Sequence, residues 1–144
     1  MATLTLAQAN TIIAKALEKA REMDMPPVAV VVLDDGGHQK AMQREDGTSM
    51  FRSSVATGKA WTSVAMGVSS RAIAARAKRN PNFMVTLAAT AEGKFLPQPG
   101  GVLIRDAHDR IVGAAGASGG TGDQDEAICA YGIAEAGLTA DLPD

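Results

Sequence analysis

Residues 49–68 read SMFRSSVATGKAWTSVAMGV, and this stretch decides the fold. At 100° per residue its apolar side chains surround most of the helix axis, with small residues between them. A helix that is apolar nearly all round is buried on more than one side. The stretch therefore predicts a central helix with a sheet on one side and further structure on the other. Its two charges, Arg52 and Lys59, are seven residues apart, so they point the same way toward a site, a partner or solvent.

Two β-hairpins are predicted on either side of this helix. Residues 28–33 form a β-branched run, and the turn sequence Asp-Asp-Gly-Gly at 34–37 leads to a return strand at 39–43. Residues 102–105 and 111–117 form the second pair, around a turn that contains Asp106 and Asp109. Both pairs are therefore expected to be antiparallel.

The remaining helices are predicted from their caps. Thr5 and Gln8 have the form of a capping box, and the first helix is expected to run to about Met23. Thr121 and Gln124 have the same form before the last helix, which ends near Ala136.

Three segments are less regular in sequence. Residues 71–78 indicate a short helix with a basic exposed face, which Pro81 ends. Residues 83–95 fit either a short helix or an irregular connection, and residues 138–144 are expected to be a tail. The order of elements predicts a single α+β domain over residues 1–144, with a largely antiparallel sheet and helical layers.

Composition excludes several classes of protein. The net charge of −2 and the aromatic content of 3% disfavour nucleic acid as a partner. No apolar run is long enough to span a membrane, and the N-terminus lacks the features of a secretory leader. The lone Cys129 permits no intrachain disulfide and fits a reducing compartment. We therefore expect a cytoplasmic protein without membrane or nucleic-acid partners.

Lys59 is the first candidate for a functional residue, because a solvated lysine is not expected among small and apolar neighbours. If it is buried, it needs a carboxylate partner, and Asp46 and Asp125 are the candidates at the ends of elements. Two interpretations remain open. Lys59 is either a structural ion-pair or snorkelling side chain, or a site lysine that holds an anionic ligand or moves a proton.

Other chemistry-bearing residues give weaker signals. His38 and His108 both fall in predicted hairpin turns, without the pattern of Cys, Asp or Glu that zinc needs, so we expect no metal site. The glycine loop at 116–122 precedes a helix, but acidic residues in the first helical turn would repel a phosphate. Cys129 is expected to be a buried, inert thiol.

Five segments together resemble the GlcG/HbpS family, which includes the C-terminal domain of PduO-type proteins. The segments begin at Val32 (VLDDGG), Arg44 (REDG), Lys59 (KA), Pro99 (PGGV) and Gly113 (GAAGASG), and Asp125 follows them. The resemblance covers nearly the whole chain in the same order. It implies a profilin- or PAS-like antiparallel sheet of about five strands flanked by helices, and assembly into dimers to octamers.

The resemblance also implies a set of site residues. Lys59, Asp46 and Asp125 are the candidates for catalysis. The candidates for ligand binding are Arg44, Lys59, Pro99, Gly100, Gly101, Ser118 and Gly119. We expect Lys59 to line a pocket beside the Pro99-Gly100-Gly101 loop, where an anionic group such as a carboxylate would bind.

Three functions follow as hypotheses. The protein binds a small organic ligand, either heme or an organic acid; or it is a small catabolic enzyme, an isomerase or hydrolase of an organic acid; or it is a non-catalytic accessory protein. Heme needs an axial ligand, for which His38, His108, Tyr131, Cys129 or a methionine is available. None is a clear axial ligand in the sequence, so we expect specific heme binding to be weak or absent. We also expect a homo-oligomer, because one small sheet cannot cover so apolar a helix.

Overall fold

A computed structural model describes residues 3–143 of the chain. The helices within this range are α1 (Leu6–Glu22), α2 (Met50–Met66), α3 (Ser70–Arg79), α4 (Pro81–Thr90) and α5 (Gly122–Glu135). The strands are β1 (Ala29–Asp34), β2 (Gln39–Arg44), β3 (Gly101–Arg105), β4 (Ile111–Ser118) and β5 (Thr139–Asp141). The α+β class predicted from the sequence is confirmed.

The strands form one antiparallel sheet in the order β2-β1-β4-β3-β5. Both predicted hairpins are present, since β1 pairs with β2 and β3 pairs with β4. The two hairpins are joined in the middle of the sheet by the pairing of β1 with β4, where Val31 lies opposite Gly116. β2 is an edge strand, and its residues are exposed or only partly buried.

Helices cover both faces of the sheet. α1 and α5 pack together on one face, over a core that includes Ile12, Val30 and Ile133. α2 lies on the other face against β4, β1 and β3, and its Ala56 and Ala60 pack on Val31 and its neighbours. The prediction of a central helix with a sheet on one side is therefore confirmed.

Two glycines let α2 approach the sheet closely. A Cβ built on Gly101 would lie 2.6 Å from the carbonyl carbon of Lys59 and 2.7 Å from Ser63 Oγ. A Cβ on Gly116 would lie 3.0 Å from the Cβ of Ala60. No side chain fits at either point without moving the helix.

Local signals fix the helix ends as predicted. Thr5 and Thr121 each form a complete capping box. The threonine side chain accepts a hydrogen bond from the backbone N–H of Gln8 or Gln124, and the glutamine side chain accepts one from the threonine N–H. Gly137 follows the end of α5 with a φ of +79°, as a C′ glycine does.

Two segments differ from, or extend, the sequence-based predictions. The predicted tail at 138–144 contains β5, which pairs with β3 and is held by an ion pair of 2.8 Å between Arg105 Nε and Asp141 Oδ2. A strand of three residues is too short to show an alternating pattern, so the prediction of a tail was wrong. The sequence left residues 83–95 open between a short helix and an irregular connection. Residues 83–90 belong to α4, which begins at Pro81, and the remaining residues of the stretch lie outside that helix.

Candidate functional site

A buried ion pair joins α2 to α5. Lys59 Nζ lies 3.1 Å from Asp125 Oδ2, and its second partner is the carbonyl oxygen of Ala117 at 3.0 Å, at the end of β4. The other carboxylate oxygen of Asp125 accepts a hydrogen bond of 3.0 Å from the N–H of Gly120. The pair is therefore satisfied from both sides, as a buried ion pair must be to persist. Of the two carboxylates that the sequence offered to Lys59, the partner is Asp125.

The Pro99-Gly100-Gly101 loop lies against the side chain of Lys59. Gly100 has a φ of +127°, and a Cβ there would lie 2.8 Å from Lys59 Nζ. The carbonyl of Gly100 accepts a bond of 3.1 Å from the N–H of Ala117. A larger residue at position 100 would displace the ammonium from Asp125, so the loop and the ion pair form one unit.

This unit forms one wall of a cleft of about 420 Å³ between α2 and the start of α5. Small-molecule sites have volumes of about 300–1,000 Å³. The predicted residues that line it are Lys59, Pro99, Ser118 and Asp125, and Arg52 lines it as well. Arg52 is exposed, and its Nη1 lies 3.4 Å from Ser118 Oγ. We call this space the Lys59 cleft.

Among residues 3–143, the charges in the Lys59 cleft leave one cation, Arg52, outside any ion pair. Lys59 and Asp125 neutralise each other, and Asp123 pairs with Arg71 on α3. Glu126 and Asp123 both hydrogen-bond to Arg71 and raise its pKa. None of the ion pairs formed among residues 3–143 includes Arg52. The cleft is therefore positively charged at Arg52 rather than at Lys59.

Two of the residues that the sequence proposed for the site lie elsewhere. Arg44 and Asp46 line a separate depression together with Arg21 and Glu45. Arg44 Nη1 donates to the carbonyl of Thr48, which is a contact that stabilises the loop before α2. Gly101 and Gly119 are not among the residues that line the Lys59 cleft. Gly101 lies against the backbone of Lys59, and Gly119 lies against Val28. Arg52 was predicted to point the same way as Lys59, but it was not among the residues proposed for the site.

A second, larger cleft of about 660 Å³ lies on the neighbouring side of α2. Its walls are the β1–β2 turn with Gln39 and Met42 of β2, the side of α2 between residues 53 and 61, and the segment 93–96; they include His38, Trp61, Lys94 and Leu96. His38 Nδ1 lies 3.5 Å from Asp34 Oδ1. Burial alone raises the pKa of Asp34, but hydrogen bonds from the N–H groups of His38 and Gly36 outweigh it, so the pKa is below its usual value. We call this space the His38 cleft.

Cys129 lies in neither cleft. It is fully buried, as predicted, and desolvation followed by the charge of Asp125 raises the pKa of its thiol far above its usual value. Such a thiol is inert toward nucleophilic chemistry at neutral pH.

No cluster of three or more His, Cys, Asp or Glu side chains within residues 3–143 is arranged to hold a metal ion. Over the same residues, no helix has both the length and the apolar character needed to cross a membrane.

Comparison with known proteins places the chain among related sequences and folds. Residues 4–134 match the model of a family described as "Haem degrading protein HbpS-like". A Citrobacter freundii protein, described as an uncharacterized 15.0 kDa protein in the dhaT–dhaS intergenic region, is 29% identical over 128 residues, or 89% of this chain and 88% of that protein.

Three solved structures are similar throughout. The PduOC:heme complex is 24% identical, covers 98% of this chain and 100% of its own, and has a TM-score of 0.86. Klebsiella pneumoniae protein ORFY is 25% identical with a TM-score of 0.85, over 95% of this chain and 92% of its own. A double mutant of Streptomyces reticuli HbpS is 27% identical with a TM-score of 0.80, over 93% of this chain and 87% of its own.

Proposed function

Because the chain belongs to the HbpS-like family, we propose that it binds small organic ligands that carry a carboxylate. Two sources of that group are considered, a short organic acid and heme. The Lys59 cleft supports the organic acid, and the description of the family and the heme complex of PduOC support heme.

The observation that carries the first candidate is Arg52, which takes part in no ion pair among residues 3–143 and lies beside the mutually neutralising Lys59 and Asp125. An anion that enters the Lys59 cleft meets a guanidinium, which presents a planar fork of donors suited to a carboxylate. The buried hydroxyl oxygen of Ser118 accepts a hydrogen bond of 3.4 Å from Arg52 Nη1 and so positions the guanidinium at this point. Lys59 and Asp125 shape the floor and are already satisfied by each other. Arg52 is therefore the anchor for the carboxylate, and Lys59 acts by forming the floor beneath it.

A test of the first candidate uses glycolate, lactate and pyruvate as probes, titrated into the full chain by calorimetry. Arg52→Met keeps the length of the side chain and removes its charge, so it should weaken binding by about ten- to a hundredfold, the worth of a hydrogen bond to a charged group. Arg76→Met is the matched control, since Arg76 is also an exposed helical arginine outside the ion pairs found among residues 3–143. Equal affinities for the two variants would contradict the assignment of Arg52.

A catalytic version of this candidate is the isomerase or hydrolase of an organic acid. The buried pair favours it, because a lysine and an aspartate 3.1 Å apart can pass a proton at the floor of the cleft. Incubation with pyruvate in deuterated water, followed by NMR, would detect proton exchange next to the carbonyl. Exchange accelerated by the wild-type chain and lost in Asp125→Asn would support an enzyme. Binding without exchange would leave a binding protein, and neither result would leave an accessory protein.

Heme is the second candidate, and the two clefts fit it differently. The residues that line the Lys59 cleft include no histidine, cysteine, methionine or tyrosine, which are the usual protein ligands of heme iron. The His38 cleft is larger and contains an imidazole, an indole, an ammonium and the thioether of Met42. The residues present therefore fit heme in the His38 cleft, where His38 would hold the iron and Trp61 would contact the macrocycle. When bound, heme would supply redox chemistry at iron.

A further inference from the structure

We propose that the His38 cleft is the heme-binding site of this protein, with His38 as the axial ligand and Lys94 as the partner of a propionate. This inference rests on heme being a ligand of the protein, which is the second candidate above.

The imidazole of His38 is oriented by its neighbours. Asp34 Oδ1 accepts hydrogen bonds of 2.9 Å and 3.0 Å from the N–H groups of Gly36 and His38, so the carboxylate is fixed within the turn. The same oxygen lies 3.5 Å from His38 Nδ1. Because the carboxylate lies on the Nδ1 side of the ring, Nε2 is the nitrogen left to bind a metal, the arrangement seen behind many histidine ligands.

The turn is shaped to let two rings lie against it. A Cβ on Gly36 would lie 3.0 Å from His38 Nδ1, and a Cβ on Gly37 would lie 3.2 Å from two atoms of the Trp61 ring. Gly37 also has a φ of +82°, which a side chain rarely adopts. The glycines therefore serve the placement of His38 and Trp61 as well as the turn itself.

The remaining walls match the chemistry of an iron porphyrin. Trp61 and Leu96 supply apolar surface for a flat macrocycle. Lys94 Nζ lies 5.8 Å from the centroid of the Trp61 ring, so a cation stands beside the aromatic wall. A ligand with a metal centre, an apolar planar body and anionic side groups is complementary to all three features, whereas a short organic acid uses only the last.

The test is a titration of the full chain with hemin, followed by Soret absorbance and by the emission of Trp61, the only tryptophan. The wild type should bind one hemin per chain, with a shifted Soret band and quenched emission. His38→Ala should lose the band shift and bind roughly tenfold or more weakly, and added imidazole should restore the band. His38 is 83% exposed in its side chain, so the fold should not change.

His108→Ala is the matched control. His108 also follows an aspartate in a hairpin turn, since Asp106 Oδ1 accepts from its N–H at 2.9 Å, but it is not among the residues that line the His38 cleft. Ser54→Trp should block the cleft and abolish binding without altering the imidazole, because Ser54 lines that cleft.

The outcomes separate this inference from the function on which it rests. If the wild type binds hemin one to one and His38→Ala and Ser54→Trp bind it unchanged, the site is refuted and heme remains a ligand. If the wild type binds no hemin, or binds several per chain without a Soret shift, both heme and the site are refuted. If His108→Ala loses the band as His38→Ala does, the assignment to the His38 cleft is also wrong.

Discussion

Lys59 Nζ lies 3.1 Å from Asp125 Oδ2, and the two side chains are only 7% and 2% exposed. Replacing Lys59 with methionine removes one charge and leaves the other buried. We expect Lys59→Met to lower the free energy of unfolding by about 3–5 kcal/mol, because an uncompensated buried carboxylate is strongly destabilising. Urea denaturation followed by far-UV circular dichroism measures this change.

Two further variants make that result specific. Lys59→Met combined with Asp125→Leu removes both charges and should recover most of the loss, since buried pairs are often replaced by apolar residues at little cost. Lys15→Met removes an exposed ion pair of 3.4 Å on α1 and should change stability by less than about 1 kcal/mol. Unchanged stability in Lys59→Met would mean that the ammonium reaches solvent and that the pair has no structural role.

Local patterns in the sequence predicted most of the fold, because they depend on neighbours along the chain. The Asp34–Gly37 turn, the capping boxes at Thr5 and Thr121, and the β-branched run of β1 each specify their own element. β5 was missed because its stability comes from β3 and from the pair between Arg105 and Asp141, which lie 36 residues apart. Contacts of that range leave no periodic pattern.

The site was predicted less completely for the same reason. Lys59 was identified because a charge interrupts an apolar helix, but the choice between Asp46 and Asp125 needs the tertiary fold, which brings the start of α5 to the side chain of Lys59. Arg52 faces the same side as Lys59, but the sequence does not show which charges in the cleft pair with each other. Only the structure shows that, among residues 3–143, Arg52 is outside these ion pairs. A turn position argued against His38 as a ligand, whereas folding places that turn in the wall of the larger cleft.

Gly101→Ala should be far more destabilising than an ordinary glycine substitution. The added Cβ would lie 2.6 Å from the carbonyl carbon of Lys59, so α2 would have to move away from β3. We expect a loss of about 2–3 kcal/mol, within the range that overpacking costs. Thermal unfolding by calorimetry measures it.

Gly93→Ala is the control for that substitution. Gly93 has a φ of +81° but open space around its Cα, so only backbone strain of about 1 kcal/mol is expected. A Gly101→Ala variant as stable as Gly93→Ala would show that α2 and β3 are not packed as closely as described.

Cys129 should not react with Ellman's reagent in the folded protein at pH 8. Its thiol is fully buried, and burial raises its pKa far above the pH of the assay, so little thiolate forms. Addition of guanidinium chloride should release one thiol per chain, the full count for the sequence. Rapid reaction of the native protein would mean that α5 opens locally around Cys129.

Asp34 should make the first hairpin sensitive to acid. Its pKa is below the ordinary 3.8, because its hydrogen bonds to the His38 and Gly36 N–H groups outweigh desolvation. A carboxylate with a depressed pKa stabilises the fold at pH values above its unfolded pKa, and the contribution disappears as the pH falls through the folded pKa. The difference in stability between wild type and Asp34→Ala should therefore be constant from pH 7 to 5 and shrink below pH 4. A difference that does not shrink as the pH falls below 4 would contradict this origin.

The face formed by the start of α2 and by β2 should be an interface between copies of this chain. Met50 and Phe51 at the start of α2 are 79% and 64% exposed, and Met42 on the edge strand β2 is 37% exposed. Exposed apolar side chains beside an unpaired strand edge are typical of surfaces that associate. We expect sedimentation velocity at micromolar concentration to show at least a dimer, and Phe51→Asp to shift it toward the 14.8 kDa monomer. Leu6→Asp, an exposed site on α1 in the opposite layer, should leave the assembly unchanged. A wild-type monomer would refute the interface, and a stable oligomer of Phe51→Asp would place it elsewhere.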